Sequence, residues 1–301
     1  MLKTKPLIEQ HFHGCFGVNF NTADVDDVLS LSQKMYTLGF GGIFPTLVTD
    51  EIDNIRQQIQ IIKTAAIRQD NKMARILGVH LEGIFLNNKK KGIHNSDLFL
   101  MPTVENYKKI EDEIVKIVTL APELDLGLID YLRSNNIKVQ AGHCESGDLS
   151  KCNGVTHIFN AMGEIHHRDT KTALTALIND NIYTEVIADG HHLSDDILTL
   201  IFKTKPLDKI LLISDSLPIT RSKQTEGFFA GEEIFYNGKI ATSKSGTIAG
   251  STALLPDIIK LLGEKGLFNP QLIENPYIYH GISTEKFIEI DDKFNVSAVK
   301  C

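Results

Sequence analysis

Eight short apolar or β-branched runs recur along the 301-residue chain at fairly even intervals, and segments with helical periodicity separate them. In order the runs are LIEQHFHG (7–14), GGIFPTLV (41–48), ARILGVHLEG (74–83), VKIVTLAPE (115–123), IKVQAGHCES (137–146), GVTHIFNA (154–161), YTEVIADG (183–190) and KILLISDS (209–216). Between them lie amphipathic segments such as DVDDVLSLSQKMYTLG, DEIDNIRQQIQIIKTAAIRQ, LDLGLIDYLRSNN, TALTALINDN and SDDILTLIFKT, several opened by Asp, Thr or Ser in capping position. Strands alternating with helices indicate βαβ units around a parallel sheet, and eight of them predict a (β/α)8 barrel of the TIM type. In such a barrel the active site sits at the C-terminal ends of the strands.

Two stretches fall outside the alternation. GFFAGEEIFYNGKIATSKSGTIAGS, with its Asn-Gly turn, predicts a β-hairpin inserted at about 227–251, ahead of a last helix in STALLPDIIKLLGEKG. The catalytic barrel is therefore expected over residues 1–270. The tail 271–301, where KFIEIDDKFNVSAVKC alternates around a turn-like DDKFN, is expected to be a small hairpin left from an accessory β-domain.

A net charge of −7 argues against nucleic acid as a partner, because phosphate backbones recruit basic surfaces. Cys15, Cys144, Cys152 and Cys301 are widely spread with no Cys-x-x-Cys pair, which indicates neither a disulfide framework nor a zinc ribbon. The start MLKTKPLIEQ has no unbroken apolar core of a signal peptide, and no run is long enough to span a membrane. The expectation is a cytoplasmic protein with a small-molecule substrate.

The ends of the strand runs carry a set of metal-ligating residue types. The first ends with His11 and His13, the third with Glu82, the fifth with His143, the sixth with His157, the seventh with Asp189, His191 and His192, and the eighth with Asp215. Each one alone reads as a satisfied polar residue near a strand end. A barrel gathers them at one mouth, where imidazoles and a carboxylate can hold a divalent ion and leave a position open for water. The ion lowers that water's pKa so that hydroxide attacks a carbonyl, and a nearby carboxylate moves the proton. Asp215, alone at the end of the last strand, is the candidate general acid/base.

Taken together and in order, HFHGCFGVNFN, GVHLEGIFLNNKKKGIHN, VTLAPE, THIFNAM followed by HHRD, DGHH, LLISD and IAGS resemble the N-acetylglucosamine-6-phosphate deacetylase family of the amidohydrolase superfamily. The resemblance implies a metal-dependent hydrolase barrel in which Glu82, His143 and His157 hold the principal ion. His11 and His13 match positions that bind a second ion in some members, so one or two ions of Zn, Fe, Mn or Co are expected per site. It implies Asp215 as general acid/base, with His94, Asn160, Ala161, Arg168 and His192 contacting a sugar phosphate. The implied reaction is hydrolysis of the acetamide to glucosamine 6-phosphate and acetate. A homodimer stays open, since Arg and His residues in the family can reach a neighbouring subunit's site.

The residues themselves leave several points open. Arg168 has the form of a bidentate phosphate clamp but reads equally as a surface arginine paired to Asp169 or Glu164. Lys89 to Lys91 read as a solvated loop, His166 and His167 as surface residues, and His80 as either a partner of the ligands or barrel packing. Cys144 is expected to point into packing, and His280 receives no role. Glu9, Ile84 and DTK after Arg168 stand where the family usually has Asp, Pro and Pro-Gly. The chain starts close to its first strand run, so the family's β-sandwich domain is expected to be reduced or missing. The alternatives are an amidohydrolase acting on a different N-acyl amino sugar or a cyclic amide, and a catalytically inactive sugar-phosphate-binding relative.

Overall fold

The computed structural model describes residues 1–145 and 148–301. Each of the eight runs forms a strand: β1 (Leu7–Phe12), β2 (Phe40–Val48), β3 (Val79–Glu82), β4 (Val115–Leu120), β5 (Lys138–Ala141), β6 (Gly154–Val155), β7 (Tyr183–Val186) and β8 (Ile210–Leu212). They pair in parallel in sequence order from β1 to β8. Except for β2, which fills its run, the strands are shorter than the runs, because the run continues into the loop that carries the polar residues. The run at 137–146 ends on Ser146, which lies outside the described residues.

The seam between β8 and β1 closes just above the last strand residues. Asp215 N donates to His11 O at 2.9 Å and His13 N donates to Ser216 O at 2.8 Å. Below them the buried Glu9 carboxyl accepts from His11 N at 3.2 Å and Ser214 N at 3.1 Å. Burial pushes the Glu9 pKa up to about 8 despite those donors.

Around the strands pack α1 (Val25–Thr37), α2 (Ile52–Arg68), α3 (Leu128–Ser134), α4 (Thr172–Ile178), α5 (Asp195–Thr204) and α6 (Leu255–Glu264). Asp24 and Asp27 form a reciprocal capping box on α1, and Ser194 caps α5. At the other end of α4, the buried Lys205 ammonium donates to Ala176 O at 2.7 Å and Asn179 O at 2.6 Å, satisfying carbonyls the helix leaves open. Between β3 and β4 the chain makes only one α-helical turn, Val104–Tyr107.

The main apolar core lies between strands and helices. The barrel lumen is polar: Gln10, His80, Thr119, Gln140, Thr156 and Glu185 are all fully buried. His80 Nδ1 lies 3.0 Å from Gln10 O and Nε2 lies 2.8 Å from Thr119 Oγ1, so both ring nitrogens are used inside the lumen. The tail supplies the floor. Helix α7 (Gln271–His280) sends Asn275 Nδ2 to Ile210 O at 2.7 Å and Tyr277 Oη to Pro6 O at 2.8 Å, while Tyr277 packs with Ile8, Phe44 and Ile117.

After α7, strand Ile288–Ile290 pairs antiparallel with Leu2–Thr4, and bridges from Phe287 to Lys300 and Ile290 to Val296 fold the last residues into a small hairpin. The inserted segment is richer than one hairpin. It forms a four-stranded antiparallel sheet of β9 (Glu226–Phe229), β10 (Glu232–Tyr236), β11 (Ala241–Ser243) and β12 (Ile248–Gly250). Phe229, Ile234, Ala241 and Ala249 of that sheet pack on Val48, Ile93, Leu217 and Ile219 at the barrel mouth. Among the described residues, no helix is long and apolar enough to cross a membrane.

Candidate active site

The strand ends deliver their side chains into one buried cluster. Glu82 lies at its centre, with one carboxylate oxygen towards each of two histidine groups. Glu82 Oε2 is 3.3 Å from His11 Nε2 and 3.0 Å from His13 Nε2. Glu82 Oε1 is 3.3 Å from His143 Nε2 and 2.9 Å from His157 Nε2. Asp215 Oδ1 joins the first group, 3.2 Å from His13 Nε2 and 3.5 Å from His11 Nε2. Asp215 thus stands among the candidate ligand atoms as well as in the lining of the cavity above them, a double placement that its sequence position did not signal.

The chain is bent sharply where it presents these groups. His143, His157 and Asp215 all have left-handed backbones, with φ of 49°, 26° and 53°. Such conformations cost roughly 1–3 kcal/mol each and persist where surrounding structure imposes them. Glycines follow two of the ligands directly. A side chain on Gly14 would lie 1.9 Å from Val18 O, and one on Gly83 would lie 2.4 Å from Thr49 N, so only glycine lets the chain turn away behind His13 and Glu82.

The donor set fits a divalent cation. Ligand atoms bonded to one tetrahedral ion at about 2.0–2.1 Å sit roughly 3.3 Å apart, the separation seen across both groups. His11 Nε2 and His13 Nδ1 are buried without a hydrogen-bond partner, and the former faces the Glu82 and Asp215 oxygens. Electrostatics point the same way. Burial opposes the charged form of His11, but Glu82 and Glu185 outweigh it and hold its pKa well above the usual range. Burial likewise opposes charge on His13, and Asp215 and Glu82 raise it. Burial alone would raise the Glu82 carboxyl, yet His11 and its neighbours hold it well below its usual value. The carboxylates call for positive charge in this cluster, which an ion supplies with neutral imidazoles as ligands.

Above the cluster lies a cavity of about 440 Å³. His94 lines it, with Nδ1 held by Thr49 Oγ1 at 2.8 Å and Nε2 3.8 Å from Glu82 Oε2. His192 lines it too, anchored through Nδ1 to Asp189 Oδ2 at 2.9 Å, and Asp189 in turn accepts from Ser251 Oγ at 2.8 Å. Asn160 and Ala161 form part of the wall on a run in which His157, Phe159 and Ala161 all have positive φ. Several amides of that run are engaged within the fold: His157 N donates to Glu185 Oε2 at 3.4 Å, Ile158 N to Glu185 O at 2.9 Å and Asn160 N to His157 O at 3.0 Å. The inserted sheet contributes Phe229 and residues 247–250 as the far wall.

Arg168 is not in this wall. It sits on the exposed loop 164–170, where its Nε donates to His167 Nε2 at 2.7 Å, and neither Asp169 nor Glu164 pairs with it. His166 and His167 are exposed on the same loop. Two lysines line the cavity: Lys89, exposed and paired with Glu145 Oε2 at 3.2 Å, and Lys90, half-buried, whose carbonyl also accepts from His143 Nδ1 at 2.9 Å. Lysine runs are usually solvated, and that composition hid Lys90; its one signal was its place four residues before His94. Glu185, mid-strand in YTEVIADG, carried no signal at all, yet it contacts His11 from below. Cys15, Cys144 and Cys152 are buried free thiols and Cys301 is an exposed one.

The class that fold and site define is a parallel barrel whose strand ends bring histidines and carboxylates together as candidate ligands for a divalent cation. Comparison with known proteins finds similar chains among sugar-phosphate deacetylases. The chain is 32% identical over 259 residues to N-acetylglucosamine-6-phosphate deacetylase of Bacillus subtilis, covering 81% of this chain and 65% of that protein. It is 28% identical over 273 residues to N-acetylgalactosamine-6-phosphate deacetylase of Escherichia coli O157:H7, covering 85% and 72%. It spans slightly less than two thirds of the length of the Bacillus relative. No family model matches the chain. Its fold is that of N-acetylglucosamine-6-phosphate deacetylase from Thermotoga maritima, with a TM-score of 0.89 at 22% identity over 98% of this chain and 85% of that one. A mutant of the Mycobacterium smegmatis enzyme in complex with N-acetyl-D-glucosamine-6-phosphate superposes with a TM-score of 0.87 at 22% identity, over 99% and 85%.

Proposed function

We propose that this chain hydrolyses the acetamide of N-acetylglucosamine 6-phosphate to glucosamine 6-phosphate and acetate. The observation that carries the reading is Glu82 standing between two histidine groups at the base of a cavity sized for one phosphorylated sugar. A divalent ion of Zn, Fe, Mn or Co held by Glu82, His143 and His157, with a second at His11 and His13, would polarise the amide carbonyl and bring a water's pKa close to neutrality.

Asp215 does the proton work. Its carboxylate accepts a proton from the attacking water and returns it to the amide nitrogen as the C–N bond breaks, so that acetate and a free amine leave. Its pKa is held low: burial would raise it, but His13 and His11 outweigh burial, so it starts ready to accept. His94 and His192, each fixed through Nδ1, turn their remaining nitrogens towards the sugar hydroxyls. Asn160 and the amides around Ala161 receive the phosphate with Lys90 beside them.

Arg168 faces out from its own cavity, so a phosphate contact from it requires a neighbouring subunit, and a homodimer is part of this proposal. The net charge of −7 and the widely spread cysteines support a cytoplasmic enzyme of small metabolites without nucleic acid as partner.

The similarity to the E. coli relative, named as acting on N-acetylgalactosamine 6-phosphate, favours a second reading, a different N-acyl amino sugar such as that epimer. The test is acetate release by protein reconstituted with Zn²⁺, Fe²⁺ or Mn²⁺, offered both sugar phosphates and unphosphorylated N-acetylglucosamine. Turnover of the gluco phosphate that needs both metal and phosphate is expected. Faster turnover of the galacto epimer would move the assignment to the second reading, and metal binding without turnover of any would sink both.

A further inference from the structure

The barrel lumen holds a carboxylate that the reaction above does not use. Glu185 on β7 is fully buried beneath the ligand cluster, and four donors surround its two oxygens. Oε1 accepts from Gln10 Nε2 at 2.5 Å and from Gln140 Nε2 at 3.4 Å. Oε2 lies 3.0 Å from His11 Nδ1 and accepts from His157 N at 3.4 Å.

The direction of this chain is set from the floor. His280 Nε2 lies 2.9 Å from Gln10 Oε1, so Gln10 turns its amide nitrogen to Glu185. A carboxylate only accepts, and therefore His11 carries its proton on Nδ1. The nitrogen left to face Glu82 Oε2 and Asp215 Oδ1 is Nε2, the buried atom with no hydrogen-bond partner.

We infer that Glu185 is a positioning residue for the ion held by His11, His13, Glu82 and Asp215: it fixes the His11 tautomer and aims the Nε2 lone pair at that ion. The inference rests on the metal-centre reading above. It also says which ion depends on Glu185. His143 Nδ1 is held elsewhere, by the Lys90 carbonyl, and Glu185 touches the side chain of no ligand but His11. The lumen group of His11, His80 and Glu185 is not an ion site of its own, because both nitrogens of His80 are already engaged by Gln10 and Thr119. Partners of this kind usually account for roughly 10–100-fold in metal affinity.

The test is Mn²⁺ titration of the metal-free protein and of Glu185→Gln, followed by low-temperature electron paramagnetic resonance, with thermal unfolding of both metal-free proteins as the fold control. Wild type is expected to take two ions with a spin-coupled spectrum, since the two Glu82 oxygens face the two histidine groups that would hold them. Glu185→Gln is expected to keep one ion at wild-type affinity, to bind the other roughly 10–100-fold more weakly, and to give an uncoupled spectrum at that stage. Should the Gln variant not fold, Glu185→Asp keeps the charge but draws it back by one methylene, and the same selective loss is expected. Two ions bound by a folded variant at wild-type affinity would overturn the inference. Wild type holding a single ion would overturn it too, while leaving the Glu82, His143 and His157 reading in place; wild type holding none would remove both.

Discussion

At the scale of single residues the proposed reaction divides the cavity between Asp215, assigned to the bond that breaks, and Lys90, assigned to the group that anchors. Asp215→Asn keeps the volume and a hydrogen-bonding head but cannot accept the water's proton. Turnover is expected to fall by roughly 10²–10⁴-fold with substrate affinity retained, read as kcat against KM in steady-state kinetics. An unchanged kcat would remove Asp215 from the proton path. Lys90→Ala removes a charge from the wall without touching the ligand atoms, and the loss of a charge-assisted phosphate contact costs about 1.5–3 kcal/mol. KM for the phosphorylated sugar is therefore expected to rise roughly tenfold to a hundredfold while kcat and metal stoichiometry hold. Equal KM values for phosphorylated and unphosphorylated sugar in wild type would sink that assignment. Sequence reasoning reached the ligand cluster because His, Glu and Asp recur at strand ends, where geometry leaves few ways to arrange them. It passed over Lys90, whose run of three lysines reads as solvent, and it set Arg168 towards the phosphate, whereas the loop carrying it lies outside the cavity.

At the scale of elements, the barrel strands were legible because each is a short β-branched run with a helix after it, and their order follows from parallel pairing. The inserted sheet was only partly legible. Its Asn-Gly pair marked the turn after β10, where Gly238 has a φ of 92°. The turn between β9 and β10 uses Ala230 and Gly231 at φ of 54° and 90°, and alanine gives no sign of a positive φ. Once formed, the sheet does more than decorate the barrel. Phe229 is buried between the cavity and the sheet's own core, with its ring centroid 4.9 Å from that of His13. Phe229→Ala should cost about 3–5 kcal/mol, concentrated in the sheet, and raise KM by opening the far wall. Differential scanning calorimetry beside kinetics checks this: a variant with wild-type unfolding temperature and KM would mean that the sheet is not part of the site.

Over the whole molecule one line of contacts runs from floor to mouth, and its lower end makes an acid-sensitive anchor. His280 closes the barrel from α7, stacked on Phe44 at 4.4 Å between ring centroids and hydrogen-bonded to Gln10, two bonds below the ligand cluster. The tail that supplies it alternates like a strand in sequence only after residue 286; the helix before it is interrupted by Pro276, which masked its role as the floor. Burial pushes the His280 pKa down to about 3, and the nearby Lys138 charge acts in the same direction, while Gln10 and Tyr279 complete its surroundings without adding charge. The folded protein therefore keeps His280 neutral where the unfolded chain, with a pKa near 6.5, takes up a proton. Its contribution to stability is whole above pH 6.5 and is lost as pH falls from there towards about 3. His280→Gln keeps a donor for Gln10 and removes the titration. Urea unfolding of both metal-free proteins at pH 8 and pH 5 should show wild type losing more stability than the variant on acidification. The same loss in both would mean that acid acts elsewhere, and that the floor of the barrel holds its histidine without a proton penalty.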